Sequence, residues 1–455
     1  MEIKVDAKRV MRDWPHVEKY HNTTLRYTPD KRFPEAMEAY IGRPEIIRLF
    51  VTLDEVWDYR DDTYHWNYLI GENRYQDDPN HYHYDWPLTV PSPLGVHVEE
   101  YLSSHAACAD TVLLNIRRYE REVTDGLVSL DKYEEVFKKV VGHFKALCPN
   151  IVYIECCNEV EIPNFGELTM PEFYQLYKRA YKVIDELNAQ HSYKMPLLIG
   201  GFGMSAGMTN WKYWDEFLEI LSKDKNRKID FYSMHEYHTN PGRILQFYVR
   251  HEAKIKELNL PDLPLLMTEY GLRTGVGDAG RPNNLQNASG EIAGMILGSY
   301  CKNLKMFPWC SFHNPNQQLG RTMFVLNDQN QYVPTPSGHV MKMFHMLGNR
   351  ELLIEGYVND NCVATVDEQG AIQVLAANPG QQANEYELEI FGLTEGTYKL
   401  IEYYVDQQRN NWISDHSLTD LSVTGSRSIA VKDRLIENIH MMNDSFCLFI
   451  IEKQA

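Results

Sequence analysis

The sequence predicts an α/β protein, a (β/α)8 TIM barrel followed by a C-terminal antiparallel β-sandwich. Three observations carry this. Between residues 45 and 312, apolar β-branched runs alternate with amphipathic helices, the pattern of a parallel sheet with crossover helices. With two early strands included, the alternation amounts to about eight units over roughly 300 residues, which is what a closed barrel requires. Beyond Leu352 only short strands follow, separated by breakers such as Asn378-Pro379-Gly380, the spacing of a small sandwich. At 455 residues the chain exceeds the roughly 250–300 at which a single core stops growing. Residues 7–350 are expected to form the barrel, and residues 351–455 with 1–6 the sandwich.

In order along the chain, Glu2–Val5 reads as an edge strand, and a weakly marked first core strand lies between Trp14 and Tyr27. A helix over Phe33–Tyr40 carries Pro34 in its first turn, and Glu45–Val51 is a buried strand. Strand Thr111–Ile116 is followed by helix Leu130–Leu147, where Tyr133, Val136, Phe137, Val140, Val141, Phe144 and Leu147 keep the 3–4 spacing. Strands are expected at Ile151–Glu159, Pro196–Gly201, Ile229–His235, Leu263–Glu269 and Leu304–Phe312. Helices are expected at Pro171–Leu187, Trp211–Leu221, Gly242–Leu258, Ala288–Cys301 and Pro336–Leu347. The sandwich strands are Cys362–Val366, Ala371–Ala376, Glu385–Phe391, Thr397–Tyr404, Ser426–Val431 and Ser445–Ile451.

A net charge of −18 excludes nucleic acid and anionic membranes as natural partners. No apolar run reaches the roughly 18 residues of a membrane span. Met1-Glu2-Ile3-Lys4-Val5 has no apolar signal segment, which leads to the expectation of a cytoplasmic protein, or of a secreted one had a leader been removed. The eight cysteines form no CxxC pair and read as reduced, buried thiols. His81-Tyr82-His83 lacks a third ligand, so no metal and no cofactor is expected. Homo-oligomerisation is left open.

The chemistry gathers at the carboxyl ends of the strands, where barrels place their sites. The fourth ends in Asn158-Glu159, the sixth in His235-Glu236-Tyr237-His238 and the seventh in Glu269-Tyr270-Gly271; the eighth carries Trp309 and ends near His313-Asn314. Two carboxylates across a barrel mouth suit retaining glycoside hydrolysis, one as acid and one as nucleophile. Tyr237 and Arg48 are candidates for keeping the nucleophile ionised. Residues 57–86 hold nine aromatics among Asp, Asn, His and Arg. Trp57 and Trp66 are candidate sugar platforms there, and the bland alternative is a loop packed on itself.

Asn158-Glu159, His235-x-Tyr237, Glu269 and an aromatic on strand eight resemble the retaining glycoside hydrolases of clan A, most of all family 39, which includes β-xylosidases and α-L-iduronidase. The resemblance spans essentially the whole chain. It implies Glu159 as acid/base, Glu269 as nucleophile, Asn158 as a ligand of the sugar 2-hydroxyl, Tyr237 as support of the nucleophile and Trp309 as the floor of the glycone subsite. His235 and Arg48 join the substrate-binding set. An exo-acting enzyme on a xyloside, arabinoside or related plant-type sugar is expected. Two departures bear on the glycone: no histidine follows Arg48-Leu49-Phe50, and strand three exits in the charged Arg117-Arg118-Tyr119-Glu120. Arg273 and Arg281, beyond the nucleophile strand, are candidates for meeting a carboxylated sugar or for closing a loop.

Two rival readings remain. Gly203-Met204-Ser205-Ala206-Gly207 matches the G-x-S-x-G elbow of a serine esterase, with Ser205 as nucleophile. A carbohydrate-binding protein without catalysis is the other.

Overall fold

The computed structural model describes the chain apart from residues 1, 24–28, 73, 83, 85–93, 206–210, 238–239, 273–281, 313–319, 357–360, 381 and 455. Eight parallel strands pair in chain order: Tyr20–Asn22, Ile46–Thr52, Thr111–Arg117, Ile151–Cys156, Leu198–Met204, Phe231–Tyr237, Leu265–Gly271 and Leu304–Pro308. The first and last strands meet through the Tyr20 and Phe307 rings, 5.6 Å apart, and the Ser311 N–H donates to the Asn22 carbonyl at 2.8 Å. In this order they are strands one to eight of the barrel. The returning helices are Arg32–Ile41, Val98–Ala107, Leu130–Leu147, Met170–His191, Trp211–Lys223, Arg243–Glu257, Asn284–Gly298 and Pro336–His345.

Side chains fill the barrel in layers. Tyr20, Ile46, Leu113, Phe231, Leu266 and Phe307 form an apolar plug, with Tyr153 and Leu198 against it. The strand period of two then puts Arg48, Asn115 and Glu155 one layer higher on the same inner face. Glycine admits the crowding here, since a Cβ on Gly200 would lie 2.5 Å from the Phe231 ring and carbonyl. Helix Asn284–Gly298 approaches strands seven and eight through Gly290, Gly294 and Gly298, which recur on one helix face. A Cβ on Gly294 would fall 1.7 Å from the Tyr270 hydroxyl, and one on Gly298 2.2 Å from the Met306 sulfur.

The other sheet has nine strands in the order Gly425–Val431, Gly396–Val405, Ser445–Lys453, Ile372–Asn378, Cys362–Val366, Arg350–Gly356, Glu2–Asp13, Asn384–Phe391, Arg434–Met441. It folds over itself, so that Leu388, Leu435 and Ile439 near one end share a core with Leu400, Phe449 and Ile451 near the other. Val363, Leu375, Phe446 and Leu448, on the opposite face, join the barrel core instead.

Several expectations change. The N-terminal strand runs Glu2–Asp13 and is no edge: it pairs antiparallel with Arg350–Gly356 and parallel with Asn384–Phe391. The sheet is therefore antiparallel with one parallel ladder. Strands Arg350–Gly356 and Arg434–Met441 and helix Val98–Ala107 escaped the sequence reading because charged residues interrupt their apolar spacing. Strand four stops at Cys156, before Glu159 rather than at it. Strand eight stops at Pro308, and a hairpin of Phe324–Leu326 and Tyr332–Pro334 follows.

Val5 is fully buried between two neighbouring strands, so Val5→Asp places an unpaired charge in the sheet interior. Chemical denaturation should show a loss of several kcal/mol; a loss below about 0.5 kcal/mol, typical of surface positions, would contradict this placement.

Candidate active site

Arg48 lies on strand two and is fully buried. Its Nε donates to Glu155 Oε2 at 2.8 Å, Nη1 to Glu269 Oε1 at 2.8 Å and Nη2 to Asn158 Oδ1 at 2.7 Å. A guanidinium only donates, so Asn158 must present its oxygen to Arg48, which leaves its NH2 for a ligand. Glu155 is held from the other side by Asn115 Nδ2 at 2.6 Å and the Thr268 hydroxyl at 2.7 Å.

Two backbone irregularities aim the carboxylates. Strand seven carries one residue more than strand six between Met267 and Glu269. A bulge of this kind re-aims side chains, and here Thr268 reaches Glu155 while Glu269, its chain neighbour, reaches Arg48 and Tyr237. After strand four, Cys157 (φ 70°) and Glu159 (φ 48°) adopt left-handed backbone, a conformation rare outside glycine. The turn is tied down by the Glu159 N–H, which donates to the Phe202 carbonyl at 3.0 Å. Gly203, at φ +52°, has His235 Nε2 2.8 Å from where its Cβ would stand. Its missing side chain makes room for that ring.

His235 joins the two acids. Its Nδ1 lies 2.7 Å from Glu159 Oε1 and 3.6 Å from Glu269 Oε2; facing two acceptors, Nδ1 carries the proton. One oxygen of Glu159 and one of Glu269 lie within 4.8 Å of each other and of a His235 nitrogen. The trio could ligate a cation on distance alone; the 2.7 Å contact between His235 and Glu159 is also an ordinary hydrogen-bond length. Tyr237 donates its hydroxyl to Glu269 Oε2 at 2.7 Å, and Arg321 lies over the Tyr237 ring at 4.7 Å.

The two carboxyls are driven apart. Burial acts to raise Glu269, but the charges of His235 and Arg48 and the hydrogen bonds from Arg48 and Tyr237 outweigh it and hold it below its usual 4.5. Glu159 is raised above 4.5 by burial and by the charge of Glu269, against the hydrogen bond and charge of His235. Nearby Glu161 is pushed up to about 7 by burial and by Glu159. Pairs whose environments separate their pKa values mark acid and base assignments.

Of the residues singled out in the sequence, Glu159, Glu269, Asn158, His235, Tyr237 and Arg48 converge. Trp309 is half-buried, its ring 6.2 Å from that of Phe50 and edge-on to it. Phe50 in turn lies 4.5 Å beneath the Arg48 guanidinium. Trp57 and Trp66 are not brought to the pair. Trp57 is buried against Tyr119 at 5.3 Å and donates to Asp62 at 2.7 Å. Trp66 stacks on Tyr64 at 4.9 Å and on His143 at 4.3 Å, toward the far end of helix Leu130–Leu147. Described aromatics of the 57–86 segment pack on one another, Tyr59 on Tyr75 and Tyr64 on Trp66, and Tyr75 bonds the Tyr119 hydroxyl at strand three's exit. Trp86, His83, His238, Arg273, Arg281, His313 and Asn314 lie outside the described residues.

Sequence reasoning missed Glu155, Asn115, Thr268 and Glu161. The available signal was a lone carboxylate, Glu155, inside an otherwise apolar strand. Ser205 lacks the strained backbone of an elbow nucleophile: the left-handed residue is Gly203, two positions earlier. The Ser205 N–H donates to Glu161 Oε1 at 2.6 Å, and that partner is an acid.

No known protein-family profile matches the chain. Its fold is shared with glycosidases. A GH39 enzyme from Xanthomonas axonopodis pv. citri superposes with a TM-score of 0.71 at 14% identity, covering 100% of this chain and 97% of the other. A monomeric β-xylosidase from Caulobacter crescentus gives 0.69 at 15% identity over 100% and 99%. A glucosidase from Croceicoccus marinus gives 0.70 at 14% identity over 100% and 99%. The barrel with an appended sandwich is thus the architecture of these clan A glycoside hydrolases. No described helix is long and apolar enough to cross a membrane.

Arg48→Met should strand Glu155 and Glu269 as buried charges, at about 3–5 kcal/mol. Because Glu269 is lowered in the folded state, its contribution is present above 4.5 and lost as pH falls through the lowered value. The deficit of the variant should therefore be largest near neutrality and narrow as pH falls below 4.5. Urea titrations at several pH values check this; a deficit independent of pH would refute the electrostatic account.

Proposed function

We propose that the protein is a retaining, exo-acting glycoside hydrolase, with Glu159 as acid/base and Glu269 as nucleophile. The observation that carries this is the unequal carboxyl pair with oxygens within 4.8 Å. Retaining enzymes hold their carboxyls about 5–5.5 Å apart, and inverting ones about 6.5–9.5 Å to admit a water. In the first step protonated Glu159 gives its proton to the glycosidic oxygen while Glu269, kept ionised by Arg48 and Tyr237, attacks the anomeric carbon. The bond to the leaving group breaks as the bond to Glu269 forms. In the second step Glu159, now a carboxylate, takes a proton from water, and that water releases the sugar with its configuration kept.

His235 Nδ1–H accompanies both steps. It donates to Glu159 and lies near Glu269, so it moderates the repulsion between two acids that share one mouth. The Asn158 NH2, freed by Arg48, is the donor for the 2-hydroxyl. A pentoside such as a xyloside or arabinoside fits the company of the Caulobacter β-xylosidase and of an α-L-arabinofuranosidase from Thermotoga maritima, whose TM-score is 0.63; the proposal takes this as the starting substrate class.

The test is a panel of nitrophenyl glycosides with wild type, Glu159→Ala, Glu269→Ala and Ser205→Ala. Glu269→Ala should lose at least about 10⁴-fold in kcat, and azide should partly restore turnover as the inverted glycosyl azide. Full activity in Glu269→Ala with loss in Ser205→Ala would sink the proposal in favour of an esterase.

The pH profile of kcat/KM should be bell-shaped, its acid limb set by Glu269 below 4.5 and its basic limb by Glu159 above 4.5. Tyr237→Phe removes one hydrogen bond from ionised Glu269, so it should move the acid limb upward and lower kcat/KM about 10-fold or more. An unmoved limb would show that Tyr237 does not support the nucleophile.

A further inference from the structure

Arg117 ends barrel strand three. On that strand Leu113 belongs to the apolar plug and Asn115 bonds Glu155, so Arg117 stands one layer higher on the same inner face. Its guanidinium lies 4.9 Å from the centre of the Phe50 ring and 5.8 Å from that of Phe165, which is on the loop beyond Glu159. Phe50 also carries Arg48 and meets Trp309. Arg117 therefore sits beside the nucleophile and the aromatic floor, at the mouth of the barrel.

What sets it apart is that no described anion pairs with it directly: the charges of Glu269 and Glu120 reach it without an ion pair. Arg48, a neighbour on the same ring, has two carboxylates and an amide oxygen. Arg117 has neither an ion pair nor a side-chain hydrogen bond among the described residues, and its Nε is buried without a partner. This occurs in a chain with 63 acidic residues against 45 basic ones. Burial, with Arg118 and Arg48 close by, pushes its pKa down to about 10, and it remains charged at any working pH. Leaving such a cation unpaired in a partly dry site is costly. Aromatic faces fix the plane of the guanidinium, and its fork fits a planar carboxylate through two parallel hydrogen bonds.

We propose that the preferred glycone carries a carboxylate, as a uronic acid does, and that Arg117 binds it. This rests on the glycosidase reading and replaces its starting substrate class, neutral pentosides, with acidic sugars. Arg117 is then a specificity residue of the glycone subsite, and Phe50 and Phe165 set its plane.

The experiment compares nitrophenyl uronides (glucuronide, galacturonide, iduronide), the matching neutral glycosides and a 6-O-sulfated glucoside on wild type, Arg117→Ala and Arg117→Lys. For wild type, one uronide should exceed its neutral counterpart in kcat/KM. Arg117→Ala should cut the uronide-to-neutral ratio about 100-fold, mostly through KM, with Arg117→Lys intermediate. Added salt should raise KM for the uronide and not for the neutral sugar.

Turnover of neutral glycosides with no uronide cleaved overturns the proposal and leaves the glycosidase reading standing. So does a ratio unchanged in Arg117→Ala. Preference for the sulfated sugar overturns the carboxylate assignment. If no glycoside is cleaved, the glycosidase reading itself fails, and thermal unfolding with free glucuronate against glucose decides the rest. A shift specific to glucuronate and lost in Arg117→Ala supports carboxylate binding, and equal shifts refute it.

Discussion

The candidate site depends on one buried cation. Arg48 is fully enclosed and bonds Glu155 below, Glu269 beside and Asn158 across the mouth. It thereby links strands two, four and seven, and a shift in any of them would cost one of its hydrogen bonds. Buried ion pairs are weak evidence of stability for their own sake. Here the pairing does something else: it holds one acid ionised while its neighbour, a few ångströms off and lacking an arginine, is pushed toward the protonated form.

The remaining geometry serves that difference. The bulge at Thr268 lets adjacent residues act on two levels, Thr268 locking Glu155 and Glu269 facing the mouth. Left-handed Cys157 and Glu159 turn the chain inward directly after strand four. His235 bridges the acids, in space left by a glycine. Each device is a local departure from ideal strand geometry, of the kind that functional sites accumulate.

Most of the barrel was legible in the sequence because its strands are continuous apolar runs and its helices keep a regular apolar spacing. Helix Leu130–Leu147 agrees to the residue, and Asn158, Glu159, His235, Tyr237 and Glu269 were visible as polar groups where such runs end. The tyrosine- and tryptophan-rich segment misled because composition cannot tell rings that await a ligand from rings that pack on each other; Trp66 on His143 is decided by tertiary contact alone. Glu155 was hidden by its position inside a strand, where its need for Arg48 follows only from strand order. The depth of the Glu2–Asp13 strand was likewise hidden, since its polar middle residues read as a joint after a short edge strand at Glu2–Val5, while its partners lie more than 300 residues away.

Helix Asn284–Gly298 gives the molecule an unexpected sensitivity. Its glycine face lies directly on the back of strands seven and eight, and the Tyr270 hydroxyl occupies the space a methyl on Gly294 would need. Tyr270 is the chain neighbour of Glu269. On its other side the helix packs toward the sandwich, whose Leu375 and Phe446 share the barrel core. Glu269, the proposed nucleophile, is thus the inner end of a short column that runs from the accessory sheet through a glycine-lined helix to a single carboxylate. Adaptation of this protein, natural or in the laboratory, is therefore freer around the open mouth than along that column, where a change of one carbon atom on Gly294 meets the chain neighbour of Glu269.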